Sequence, residues 1–254
     1  MKVAVAGAGG RMGRALIDAV LADRGLALAA AFDVAGSPVI GNEFGKIKVT
    51  SDAGAAIAVA DVLLDFTRPE GTLAHLKHAK AVVIGTTGFS DSQEKTIAAA
   101  AKRIPIVMAA NFAVGVNAAY KLAEMAAKIL GDAYDVEIIE AHHRHKVDAP
   151  SGTALELGKI IAQASNRDLR RVAAHGRSGE TGERPAKQIG FHSIRGGDIV
   201  GEHSVIFAGT GERVEVTVRS QSRASYAAGA LRAVKWLKGR PAGLYHMADV
   251  LGLR

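Results

Sequence analysis

Residues 140–153 read Glu-Ala-His-His-Arg-His-Lys-Val-Asp-Ala-Pro-Ser-Gly-Thr. Five consecutive positions, 142 to 146, hold three histidines, an arginine and a lysine. A histidine near a lysine can act as an acid/base pair whose proton affinities are moved by mutual charge. Were the segment helical, His142 and Lys146, four apart, would share one face. Pro150 then restricts the entry to Ser151, Gly152 and Thr153, which precede an apolar-periodic run. Hydroxyls at such a position cap a helix, and its free N–H groups can bind a carboxylate. A basic segment beside a helix start suits a dianionic substrate that must be both held and protonated. The plainer alternatives are a solvated basic loop and simple capping. The zinc-protease spacing is missing and the chain has no cysteine, so no metal is expected.

A second cluster could hold a cofactor. Gly7, Gly10 and Gly13 recur at three-residue spacing, and Gly9 adds a G-x-G with Gly7. Ala8, Arg11 and Met12 complete the loop. It follows a strand over residues 2–6 and precedes a helix from about Met12 to Ala22. A dinucleotide pyrophosphate needs a tight turn, close backbone approach and a helix N-terminus aimed at it. Asp33 lies 20 positions after Gly13, at the end of the next strand (26–32). A carboxylate there can accept hydrogen bonds from the adenosine ribose hydroxyls and would repel a 2′-phosphate. Val34 supplies no compensating charge and Arg11 only part of one, so NADH is expected as the preferred cofactor, with NADPH also usable. Gly85, Thr86 and Thr87 follow a strand at 82–84. Ala109, Ala110, Asn111 and Phe112 follow one at 104–108. Both runs sit where open α/β sheets place their ligands, although ordinary turns would use the same residues.

The elements that must position these residues alternate. Strands at 2–6, 26–32, 62–66, 82–84 and 104–108 are interleaved with helices at 12–22, 70–80 and 91–102, and residues 35–46 read as a loop. Such alternation predicts βαβ units and a parallel sheet. After residue 115 the pattern changes to a helix at 117–130, a strand at 136–140, a helix at 153–164 and strand-like runs at 188–194, 200–208 and 213–220. Val214, Val216 and Val218 alternate with Glu215, Thr217 and Arg219, the mark of a half-buried strand. Gly196-Gly197 predicts a hairpin turn between the first two of these runs. A final helix is expected at 226–237. The fold class is therefore α/β, with a Rossmann-like dinucleotide-binding domain and a C-terminal α+β domain with an open mixed sheet.

Composition narrows the function. Hydrophobic residues make up 48% of the 254 and aromatics 5%, which suits a core of Ala, Val, Ile and Leu around parallel strands. No apolar run approaches the roughly 20 residues of a membrane span, and the N-terminus does not read as a signal peptide. A cytoplasmic location with no membrane partner is expected. The net charge is +7. Basic residues are scattered outside positions 142–146 and aromatic interleaving is nearly absent, so no nucleic-acid partner is expected. A dinucleotide and an acidic substrate account for the positive balance.

Residues 5–13, 65–70, 85–88, 110–112, 140–154 and 196–203 together resemble the 4-hydroxy-tetrahydrodipicolinate (dihydrodipicolinate) reductase family. The resemblance spans essentially the whole chain, and residues 140–153 are its most specific part. It implies a dinucleotide-binding domain of residues 1–113 and 224–254, a substrate-binding and oligomerisation domain of residues 114–223, and a homotetramer. It implies NAD(P)H-dependent reduction of a cyclic dicarboxylate imine in the diaminopimelate route to lysine. His142 would be the acid/base group and Lys146 the proton donor, and His143, Gly152 and Thr153 would hold the substrate carboxylates. Gly7–Met12, Asp33, residues 85–87 and residues 109–112 would line the cofactor. Some members carry an arginine after the ribose-binding acid; Val34 stands there in this chain. Competing readings are another imine reductase or an amino-acid dehydrogenase of the same plan, and a dinucleotide-sensing regulator without turnover.

Overall fold

The structure, a computed structural model, describes residues 1–253 and falls into two compact units, Met1–Val114 with Arg223–Arg254 and Gly115–Ser222. In the first unit the chain runs β1 (Lys2–Ala6), α1 (Arg11–Ala22), β2 (Ala27–Phe32), β3 (Glu43–Phe44), β4 (Ile47–Lys48), α2 (Ala53–Ala58), β5 (Val62–Asp65), α3 (Pro69–His75), β6 (Val82–Ile84), α4 (Asp91–Ala101) and β7 (Pro105–Met108). The chain leaves along α5 (Val114–Leu130) into the second unit. There follow β8 (Asp135–His142), α6 (Gly152–Ala164), α7 (Leu169–Val172), β9 (Ala173–His175), β10 (Ile189–Arg195), β11 (Gly201–Ala208) and β12 (Arg213–Ser220). It returns for α8 (Ala224–Trp236), β13 (Gly243–Tyr245) and α9 (Met247–Leu251).

The first unit holds a six-stranded sheet in the order β13-β7-β6-β5-β1-β2, parallel throughout. Successive side chains on a strand face opposite sides, and each side meets its own helices. Val3, Val5 and Leu64 pack with Leu16, Ile17 and Val20 of α1 and Leu231 and Val234 of α8. Ala4, Leu63 and Ile84 pack with Ile57 of α2 and Ile97 of α4. Burial on both faces explains why these strands read as continuous apolar runs. The chain winds outward from β1 to β2 and then reverses through β5, β6 and β7. The sheet therefore has its switch point between β1 and β5, where such folds bind ligands at the carboxyl ends of strands.

The second unit holds a five-stranded mixed sheet, β12-β11-β8-β10-β9. Strand β8 is central, parallel to β10 and antiparallel to β11. Helices α5 and α6 cover one face through Ala123, Ala127, Leu157 and Ile161, packed on Val136, Ile138, Phe191 and Phe207.

Several expectations are corrected. Gly196-Gly197 does not close a hairpin between neighbours, because β8 lies between β10 and β11. The turn passes over the end of β8, with Gly196 N–H donating to the His142 carbonyl at 3.0 Å and Arg144 N–H to the Gly197 carbonyl at 3.2 Å. A Gly-Gly pair marks a reversal of direction; it does not specify which strands pair. The 35–46 loop contains β3 and leads into a small antiparallel ladder with β4. The helix at 226–237 is not the last, since α9 follows it. The strand entering the histidine segment extends to His142.

Candidate functional site

In the first unit, the loop after β1 is built from glycines for steric reasons. Gly7 has φ +69°, and a Cβ there would lie 3.0 Å from Thr67 Cγ2, which places the loop against the end of β5. A Cβ on Gly13 would lie 2.0 Å from the Gly7 carbonyl oxygen, so α1 can approach the turn only with glycine at that position. Gly10 caps α1 without a side-chain hydrogen bond, and the first turn carries no acidic residue. The helix thus presents unpaired N–H groups and a positive dipole end to an anion. Arg11 is exposed and Met12 half-buried.

Asp33 touches this loop directly. Its Oδ2 accepts from Gly9 N–H at 2.7 Å and its Oδ1 from Val34 N–H at 2.8 Å. The carboxylate therefore braces the glycine loop from the neighbouring strand, and Val34 beside it is 74% exposed. Residues 85–87 and 109–112 lie at the carboxyl ends of β6 and β7. A Cβ on Gly85 would lie 2.1 Å from the Phe66 ring, and that ring lies 5.2 Å from the Phe112 ring. Phe112 is buried, and its carbonyl oxygen lies against α8, where a Cβ on Gly229 would come within 1.7 Å of it. Asn111 Oδ1 accepts from Ala113 N–H at 2.9 Å and holds the turn.

Thr86 is buried too, and its hydroxyl is already engaged. It bonds Thr67 N–H at 2.9 Å and Thr72 Oγ1 at 2.9 Å. Both belong to a network around the fully buried Asp65, whose carboxylate also meets Thr67 Oγ1 at 2.6 Å and His75 Nδ1 at 2.7 Å. This network ties the ends of β5 and β6 to α3. It was not predicted as part of the site, although an Asp-Phe-Thr run directly after an apolar strand is a readable signal. The exposed Thr87 hydroxyl and the backbone of residues 85–87 are what this turn offers a ligand.

In the second unit, His142 ends β8 and the basic residues after it form a turn, with Lys146 N–H donating to the His143 carbonyl at 3.1 Å. The conditional helical arrangement of His142 and Lys146 is therefore not realised. Glu140, two residues before His142 on the same face of β8, is 1% exposed. Its Oε2 accepts from His142 Nδ1 at 2.6 Å and Arg195 Nη1 at 2.8 Å. Its Oε1 accepts from Arg195 Nη2 at 2.7 Å and Ser151 N–H at 3.2 Å. Burial alone would push this carboxyl up, but the bonds from Arg195, Ser193 and His142 override it and hold it at about 2. Glu140 is therefore ionised and can only accept, so His142 carries its proton on Nδ1 and leaves Nε2 free. Burial pushes His142 down, partly offset by Glu140.

Ser151 links this network to the substrate-side candidates. Its hydroxyl caps α6 by accepting from Ala154 N–H at 3.2 Å and meets His203 Nε2 at 2.9 Å. His203 lies opposite Glu140 on β11, its ring 5.2 Å from that of His142, and burial lowers it to about 4. Gly152 and Thr153 are the first two residues of α6, at the positive end of the helix dipole. His143 Nδ1 is buried with no hydrogen-bond partner. Lys146 Nζ reaches Asp148 Oδ1 at 2.8 Å. His142, His143, Lys146, Gly152 and Thr153 are thus assembled around one strand end and one helix start. Ser151 joins them in the capping place expected of it, and Glu140, Arg195 and His203 join them without having been predicted as site residues. No group of histidine and carboxylate side chains suited to a metal occurs among the described residues.

Comparison with known proteins gives this arrangement a lineage. Family models described as dihydrodipicolinate reductase, N-terminus and C-terminus, match residues 1–112 and 115–251. The 4-hydroxy-tetrahydrodipicolinate reductase of Aromatoleum aromaticum is 58% identical over 100% of this chain and 96% of its own. That of Thiobacillus denitrificans is 57% identical over 100% and 99%. The solved structure of a dipicolinate-bound dihydrodipicolinate reductase from Paenisporosarcina sp. TG-14 superposes with a TM-score of 0.79, at 26% identity and covering 98% of both chains. Fold, both sequence halves and full-length relatives agree, and the chain belongs to the dihydrodipicolinate reductase family.

Proposed function

We propose that this chain reduces 4-hydroxy-tetrahydrodipicolinate, or the dihydrodipicolinate formed from it by loss of water, to tetrahydrodipicolinate on the diaminopimelate route to lysine. It is an oxidoreductase dependent on a pyridine nucleotide. The observation that carries the assignment is the cluster of His142, His143, Lys146 and the α6 N-terminus around buried Glu140, in a chain whose full-length relatives bear the reductase name.

The glycine loop fits a dinucleotide: Gly7 adopts positive φ and the α1 N-terminus is uncapped by side chains. Gly7, Ala8, Gly9, Gly10, Arg11 and Met12 would hold the pyrophosphate, Asp33 the adenosine ribose, and residues 85–87 and 109–112 the nicotinamide end. Bound there, the reduced nicotinamide supplies the hydride. The remaining work falls to the protein. The α6 N-terminus at Gly152 and Thr153, with His143, holds the carboxylates of a cyclic imine. As hydride reaches the C=C–C=N system, negative charge moves toward the ring nitrogen. The Lys146 ammonium stabilises that charge and donates the proton. His142, neutral at pH 7 with Nε2 exposed to the site, serves as the acid/base partner.

Asp33 and the uncharged Val34 favour NADH over NADPH. The cysteine-free composition suits the cytoplasm, and no helix among the described residues is long and apolar enough to cross a membrane. The face of the mixed sheet away from α5 and α6 carries Ile139, Ile194 and Ile206, with Ile194 52% exposed. We read this as the surface of a homotetramer, which light scattering in solution checks. The activity itself is tested by a coupled assay. Pyruvate and aspartate semialdehyde are supplied with the upstream synthase, and NADH or NADPH loss is followed at 340 nm. Oxidation that needs both proteins is the expected result, faster with NADH. No oxidation from folded, nucleotide-binding protein would overturn the assignment.

A further inference from the structure

Arg195 lies 53 positions beyond His142 in sequence and directly beside it in the sheet, as its register partner between β10 and β8. Its side chain is about one-fifth exposed. One guanidinium makes three kinds of bond. It grips both oxygens of Glu140 at 2.7 and 2.8 Å, and its Nη2 also donates to the Asp148 carbonyl at 2.7 Å. Its Nη1 reaches its own strand at the Ile194 carbonyl, 2.7 Å away. Glu140 in turn receives the His142 Nδ1 proton, and Asp148 receives the Lys146 ammonium. The two groups proposed to move protons are thus anchored to the same side chain by separate routes.

We propose that Arg195, acting through Glu140, is the positioning residue of this site: it fixes His142 as the Nδ1–H tautomer with Nε2 presented for proton transfer, and it anchors the turn that carries Lys146. This rests on the reading of His142 as the acid/base group. The physical requirement is plain. A carboxylate buried as deeply as Glu140 stays ionised only with a cation beside it, and only an ionised carboxylate dictates which imidazole nitrogen keeps the proton. A lysine could supply the charge but not the fork that holds both oxygens at once. The charged groups around His142 are Glu140 on its own strand, Arg195 on β10, and Lys146 in the following turn. The neutral His203 faces it from β11.

The test uses the full-length protein and the coupled assay with synthase in excess, measuring kcat/KM against pH. Glu140→Gln keeps size and an acceptor but removes the negative charge. It should lower kcat by about 10²-fold and move the limb set by His142 to lower pH by about one unit. Arg195→Met leaves the buried Glu140 without its cation and free to take up a proton, so it should move the same limb in the same direction, to lower pH. The double variant should shift no further than Glu140→Gln alone, because Arg195 acts through that carboxylate. Nucleotide affinity, read by fluorescence titration, should change less than twofold in each. A merely structural role would leave the limb in place in both single variants, or let the two shifts add in the double, and either result overturns the proposal. If Arg195→Met does not fold, Glu140→Gln still decides by the size and sign of its shift. A readout independent of activity is the ¹⁵N spectrum of histidine-labelled protein, with His142 assigned by its loss in His142→Asn. An Nδ1–H signal supports the proposal and an Nε2–H signal overturns it. A His142→Asn variant with undiminished kcat beside an Nδ1–H signal would instead remove the acid/base reading and leave the anchoring intact.

Discussion

Lys146 sits in a turn with its ammonium on Asp148, whose side chain is about half exposed. Such an exposed pair adds little stability, so its loss should spare the fold. Lys146→Ala is expected to lower kcat by roughly 10²- to 10⁴-fold while leaving NADH affinity within about twofold; equal losses in both would assign the lysine a structural part. Asp33 tests the other ligand. Asp33→Ala should weaken NADH more than NADPH, narrowing or inverting the ratio of their dissociation constants, because the carboxylate favours ribose hydroxyls and repels a phosphate. An unchanged ratio would reject the ribose contact. At this scale the sequence was legible where residue types crowd together. Positions 142–146 announce themselves by composition, and Glu140 could have been found by the period of two that puts it beside His142 on a strand. Arg195 and His203 could not, since their place beside that strand depends on a register set by tertiary packing.

Helix α1 meets the glycine loop so closely that Gly13 leaves no room for a side chain. A Cβ there would meet backbone rather than a movable side chain, so Gly13→Ala should destabilise the protein by about 1–3 kcal/mol and weaken nucleotide binding, read by thermal melts and fluorescence titration. A melt unchanged from wild type would show that the helix can shift to accommodate the methyl group. The long periodic elements were readable: α1, α4, α6 and α8 all fall within a few residues of expectation, and Ser151 caps α6 as its hydroxyl predicted. Short elements were not. Strands β3 and β13 and helix α9 span five residues or fewer, too few to establish a period. The Gly196-Gly197 turn was recognised locally and misassigned globally, because strand adjacency is a property of the sheet.

Across the molecule, acid should act first on the buried histidine. His203 is held at about 4, well below the usual 6.5, so it is neutral when folded and protonates more readily when unfolded. The unfolded chain then binds more protons between these values. Stability from this group is complete above about pH 6.5 and is lost as pH falls toward 4, by roughly 3 kcal/mol in all. Glu140 and Glu137, both held at about 2, add a second loss as pH falls from about 4.5 to 2. Melting temperature should therefore decline from pH 7 to 4 and more steeply below; a flat profile between pH 6.5 and 4.5 would show that His203 is not held neutral.

The sheet order also bears on how the chain is made. Strand β8 finds both partners downstream, β10 beginning 47 residues and β11 beginning 59 residues after its own end. In the other unit, β7 acquires its outer neighbour only at residues 243–245. Neither sheet can be completed from an N-terminal fragment. A ribosome that has delivered the first 180 residues has released the glycine loop and every residue of the histidine segment, yet Glu140 still lacks its arginine and β8 both its ladders. Such non-local pairing is slow to form and leaves strand edges bare meanwhile. The proposed acid/base site is thus completed only by the last third of translation, and chains cut short should accumulate as inactive, aggregation-prone material rather than as a partial reductase.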